Sequence, residues 1–93
     1  MNIHIEQASM ERNEDQRFIG KVILRVDNHK QPYELILDSK NMKSWGYALY
    51  FLRESGPEDE IDALDEYLDE HDDVFERIVQ EAVDAYTDGK DRE

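Results

Sequence analysis

Apolar residues change their period once along this chain, near Arg53, and that change fixes the fold class. Before it they recur at every second residue, the mark of a half-buried strand. After it they recur in steps of three and four, the mark of one helix stripe.

Ile3 and Ile5 alternate with His4 and Glu6 and give a short first strand, and Ser9 to Gln16, polar and unpatterned, reads as a loop. From Arg17 to Asp27, Phe18, Val22, Leu24 and Val26 point one way and Ile19, Ile23 and Arg25 the other. Asn28 to Gln31 is a turn, and Pro32 suits a strand start. Tyr33, Leu35 and Leu37 then alternate with Glu34, Ile36 and Asp38. After a polar connection from Ser39 to Ser44, a fourth strand from Trp45 to Leu52 has Trp45, Tyr47, Leu49 and Phe51 on one face. Links this short favour an antiparallel meander, because parallel strands need long crossovers.

Ile61, Leu64, Leu68, Phe75, Ile78, Ala82 and Ala85 carry the helical half, with His71 in the only gap of the stripe. Ser55 as N-cap, Pro57 in the first turn and Glu58 three residues after the Ser mark its start. The stripe allows one continuous helix to about Tyr86, but a break near His71, with Asp73 and Glu76 as a second capping box, favours two helices, and Gly89 marks the end. The expectation is an α+β domain of order ββββαα: a four-stranded antiparallel meander and two acidic C-terminal helices packed on one sheet face. Residues 1–93 form one domain, with a sheet half over 1–53, a helical half over 54–88 and a frayed tail over 89–93.

Charge divides at the same place. Residues 1–53 carry seven acids and eight bases, and residues 54–93 carry seventeen acids and three bases, giving +1 and −14 within a net −13. Between Glu58 and Glu76 stand eleven carboxylates and no Lys or Arg. Glu58–Asp62, Asp62–Glu66, Asp65–Asp69, Glu66–Glu70, Asp69–Asp73 and Asp72–Glu76 are like-charge pairs at i,i+4. At about 0.2–0.5 kcal/mol each they cost a continuous helix roughly 1–3 kcal/mol. Such a surface repels DNA, RNA and anionic membrane and attracts basic proteins or, weakly and non-specifically, divalent cations. The plain reading is a solvated face that keeps a small protein soluble. The functional reading is a docking face for a basic partner built on Asp62, Asp65, Glu66, Asp69, Glu70 and Asp73, of which a nucleic-acid-backbone mimic is the stronger form.

Other chemistry is sparse. The chain has no cysteine, so disulfides and thiolate metal sites are excluded. His71 stands among Glu70, Asp72 and Asp73, but consecutive helix residues diverge and the calcium-loop pattern is absent, so no metal or other cofactor is expected. No nucleophile elbow, Gly-rich phosphate loop or His-Glu-x-x-His occurs, and no catalytic residue is assigned. Met1 to Arg17 lacks an apolar signal core and no long apolar run follows, which predicts a soluble cytoplasmic protein.

Three further expectations concern surfaces. Ile19, Ile23, Ile36, Tyr50 and Leu52 occupy the sheet parity opposite the core, where an antiparallel sheet is normally polar, and predict a homodimer through that face. A ligand or catalytic pocket near Trp45 and Tyr67, between sheet and helices, is the alternative to docking. Single-stranded RNA on the sheet is disfavoured, because Tyr33, Trp45 and Tyr47 are assigned to the core and the net charge opposes it.

Overall fold

The computed structural model describes residues 1–91, with side chains described as far as Tyr86. Its elements are β1 (Ile3–Arg12), β2 (Phe18–Val26), β3 (Tyr33–Ser39), β4 (Gly46–Phe51), α1 (Glu58–Glu70) and α2 (Asp72–Asp91). The four strands form one antiparallel meander in the order β1-β2-β3-β4, and both helices pack on one of its faces. This is the α+β architecture expected from the change of period.

The first strand is longer than its alternation suggested. Ile5 pairs with Leu24 and Gln7 with Ile23, leaving Glu6 as an extra residue in a β-bulge. An inserted residue moves the inward parity by one. Ile3 and Ile5 face the core before it, and Ala8 and Met10 after it. Ser9 to Arg12, expected in a loop, therefore continues β1, and the link shortens to a turn closed by Asn13. Asn13 Oδ1 accepts the backbone N–H groups of Asp15 and Arg17, both at 3.0 Å. Gly20 lies between Met10 and Leu37 in the register, where a Cβ would stand 3.2 Å from Met10 Cε and 3.3 Å from Leu37 Cβ. Its missing side chain makes room for Met10 on the inner face.

Val22, Leu24, Val26, Tyr33, Leu35 and Leu37 line the buried sheet face and meet Leu64, Leu68, Ile78 and Ala82 from the helices. α2 packs on β1 and β2, whereas α1 packs on β4 and α2. At about 25 cal/mol per Å² of apolar surface removed from water, this layer is the main favourable term of the fold.

The helix boundaries differ from expectation at three places. Pro57, not Ser55, is the N-cap of α1, and no side-chain cap bond forms. Gly56 explains the shift: a Cβ there would lie 2.8 Å from Gln31 Cγ and 3.0 Å from Phe51 Cε1, so the chain is pressed against the sheet before it can turn. Glu60 reaches across to accept Lys30 N–H at 2.9 Å, tying the first turn of α1 to the β2–β3 turn. At the break, His71 is the whole joint. Its N–H donates to the Tyr67 carbonyl at 3.0 Å, Nδ1 lies 2.9 Å from the same oxygen, and its ring stacks on Tyr67 with centroids 3.9 Å apart. Its own carbonyl receives the N–H groups of Val74 and Phe75, so Asp73 sits inside the first turn of α2 and no capping box with Glu76 starts it. Finally, α2 continues through Gly89 to Asp91, because a helical glycine costs only about 1 kcal/mol relative to alanine. Of the tail expected to fray, Arg92 and Glu93 lie outside the described residues. Among the described residues no helix is long and apolar enough to cross a membrane.

Candidate docking face

The carboxylates of α1 divide into stripes according to the helical period. Glu58, Asp62, Asp65 and Asp69 follow at steps of four, three and four and lie along one side of the helix. That side is turned towards β4: the Tyr47 hydroxyl donates to Asp65 Oδ1 at 2.6 Å. Burial, this hydrogen bond, and the charges of Asp65 and Asp69 push the Tyr47 phenol up to about 12. Glu66 and Glu70 occupy a second stripe, exposed and opposite buried Leu64 and Leu68. Asp73 belongs to α2, beyond the joint. The six carboxylates expected to form one face are all exposed, but the fold distributes them as three, two and one. Asp69–Asp73 spans the non-helical His71, so that pair does not carry the i,i+4 repulsion expected of a continuous helix.

Between α1 and β4 runs a groove of about 620 Å³. Tyr47, Leu49, Phe51 and Ile61 form its floor, and Glu58, Asp62 and Asp65 its acidic rim. All four floor residues are half-buried, although the same inward parity on β3 (Tyr33, Leu35, Leu37) is completely covered. Sequence parity placed Tyr47, Leu49 and Phe51 in the core and did not mark them as a site. The available signal was topological, because the last strand of a meander is an edge. Glu58 was also missed, although it is four residues from Asp62.

The bases do not relieve this charge. Arg17 makes a two-point contact with Asp38 at 2.8 and 2.7 Å, which holds the Asp38 carboxyl below its ordinary value and raises Arg17. Arg25 bonds Glu6 at 2.7 Å, Lys21 lies 3.4 Å from Glu34, and His4 meets Asp27 at 2.9 Å, lowering the Asp27 carboxyl. Among the described residues every ion pair joins sheet or turn residues, and none reaches a helix carboxylate.

The outer sheet face is a checkerboard. Cross-strand rows read Glu11–Ile19–Asp38–Gly46, Ser9–Lys21–Ile36–Ala48 and Gln7–Ile23–Glu34–Tyr50. Ile19, Ile23 and Ile36 touch only along diagonals, with Lys21, Glu34 and Asp38 between them. Leu52 is half-buried and lines a groove of about 710 Å³ with Ile23, Arg25 and Pro32. Of the five residues expected at a dimer contact only Tyr50 is well exposed, at 53%. Among the described residues it is the one aromatic in those three rows.

Trp45 and Tyr67, expected beside one pocket, have different surroundings. Trp45 lines a groove of about 390 Å³ with Lys43, Asp72, Phe75, Glu76, Val79 and Gln80 of the β3–β4 loop and α2, whereas Tyr67 is stacked on His71. Among the described residues no group of three His, Asp or Glu side chains is placed to hold a metal ion. Comparison with protein-family models, curated proteins and solved structures finds nothing that matches this chain, so the face is read from its own chemistry.

Proposed function

We propose that this chain is a non-enzymatic interaction protein, an adaptor or inhibitor that docks a basic partner on its acidic helical face. One observation carries the reading: among the described residues the ion pairs of Arg17, Lys21 and Arg25 all go to acids of the sheet and its turns, and none reaches a carboxylate of either helix. Exposed like charges along a rigid helix cost stability, which hydrogen bonds from Tyr47 and Lys30 offset at Asp65 and Glu60. Their use lies in attracting and orienting a cationic surface. Asp62, Asp65 and Asp69 act beside the β4 groove, and Glu66, Glu70 and Asp73 extend the field over the outer side of the helices. Such charges raise encounter rates and fix orientation more than they add raw affinity, and they do so less as salt rises.

The test is affinity capture from the host lysate at low and high salt. Wild type is compared with a variant carrying Asp62→Asn, Glu66→Gln, Asp69→Asn and Asp73→Asn. Wild type should retain basic proteins that salt releases, and the variant should lose them. In urea the variant should be about 1–2 kcal/mol more stable, because four i,i+4 repulsions on α1 disappear. Equal recovery by both proteins would reduce the face to a solvated surface.

A further inference from the structure

We infer that the free edge of β4 accepts an extended basic segment as a fifth strand, with Lys or Arg at every second position entering the groove beneath α1. This rests on the docking reading above and gives the partner a shape.

The backbone of β4 is available on the required side. Leu52 N–H donates to the Pro32 carbonyl at 3.1 Å, which makes Pro32–Leu52 a hydrogen-bonded pair. Such pairs alternate with non-bonded ones in an antiparallel ladder, so Gly46, Ala48 and Tyr50 bond to β3 while Tyr47, Leu49 and Phe51 aim their N–H and C=O groups outward. Among the described residues no other segment takes those groups. The same three residues supply the half-buried floor of the groove, so an added strand pairs with the residues whose side chains it would cover.

Charge and spacing select the occupant. Glu58, Asp62 and Asp65 rim the groove, while Leu49, Phe51 and Ile61 offer apolar surface beneath them. A long cationic side chain satisfies both, laying its methylenes on the floor and its charge at the rim. α1 runs antiparallel to β4, since Gly56 abuts Phe51 at one end and Asp65 meets Tyr47 at the other. Carboxylates four residues apart on a helix are separated by about 6 Å along its axis. Alternate residues of a strand are about 6.6 Å apart, so a basic-x-basic segment matches the rim. A second copy of this chain does not fit, because its own acidic rim would meet this one.

The probes are two labelled eight-residue peptides of equal charge, one alternating lysine with valine and one carrying the same residues in two blocks. Fluorescence polarisation at low salt should show the alternating peptide binding about ten-fold more tightly, as main-chain pairing adds to charge. N-methylation of one set of alternate amides should abolish that advantage, and of the other set should not. Glu58→Gln with Asp62→Asn should weaken binding about ten-fold, and Glu66→Gln with Glu70→Gln less than about three-fold. Amide exchange at Tyr47, Leu49 and Phe51 should slow on binding. If both peptides bind equally, ignore N-methylation and suffer alike from both variant pairs, strand addition is wrong while docking through charge survives. If neither peptide binds, both readings fall.

Discussion

The two edges of the sheet, β1 and β4, are built differently. β1 has ten residues, bends at the Glu6 bulge and lies under α2, which packs along it. It too borders an acidic groove, lined by Ile5, Ala8, Glu81 and Asp84, but the bulge falls within that groove and interrupts any ladder built there. β4 has six residues in unbroken register, and α1 leaves its inward side chains half-buried. Bulges and covering elements are the usual means of protecting an edge from further pairing. Here they protect one edge, and only the shortness of β4 guards the other. Edges differ in their availability, and that difference points to β4.

The sharpest way to break the comparison is to truncate equivalent inward residues on neighbouring strands. Leu35 and Leu49 are register partners, one fully buried on β3 and the other on the open edge. Leu35→Ala should cost about 3–4 kcal/mol in urea unfolding and Leu49→Ala about 1 kcal/mol. Equal costs would mean that the floor of the groove is core after all.

Deleting Glu6 tests the other edge. Without the extra residue, Ile5–Leu24 and Gln7–Ile23 become consecutive pairs, so Ile3, Ile5, Ala8 and Met10 all stay inward and the ladder of this edge runs unbroken. The isoleucines stay buried, so stability should change by no more than about 1 kcal/mol and the Ile5–Leu24 contact should persist. Chemical denaturation, with the Ile5–Leu24 contact followed by NMR, checks both magnitude and cause.

The same bulge marks where the sequence stopped being legible. Alternation read β2 and β3 correctly because nothing interrupts their register. It failed at Glu6, where a parity change looks like the end of a strand. The faces of β4 were read correctly but its burial was not, because coverage depends on where α1 lies and strand parity does not report that. Gly56 gives no local sign of its contact with Phe51, so the helix start was placed at Ser55. The break at His71 was visible in the stripe. How it separates Asp73 from Asp62, Asp65 and Asp69 depends on the geometry of one residue. The abundance of acids was plain, and their division into stripes needed the helix orientation.

Tyr47→Phe sharpens the comparison at the rim. Removing the hydroxyl that holds Asp65 should cost about 1 kcal/mol at neutral pH. Tyr33 and Tyr47 both have phenols pushed up to about 12, in each case chiefly by burial. A raised folded pKa means that the fold prefers the protonated phenol. The resulting stability is complete below about 10, the unfolded value, and is lost as pH rises towards 12. Urea midpoints measured from pH 9 to 12 should fall for wild type and fall less for Tyr47→Phe, which keeps only the Tyr33 contribution.

The smallest expected effect separates edge from face. Ile23 sits beside Glu34 on the checkerboard, with Lys21 two residues away on its own strand. A dimer built there would bury Lys21, Glu34 and Asp38 along with the isoleucines, and desolvating those charges offsets much of the apolar gain. Sedimentation at micromolar concentration should therefore give a single 11.1 kDa species. Ile23→Lys should leave it unchanged, with stability altered by no more than about 1 kcal/mol. A dimer that Ile23→Lys dissolves would move the interaction surface from the β4 edge to the outer face. A dimer indifferent to Ile23 but lost on Leu49→Lys would keep it at the edge and make a second copy the strand that β4 accepts.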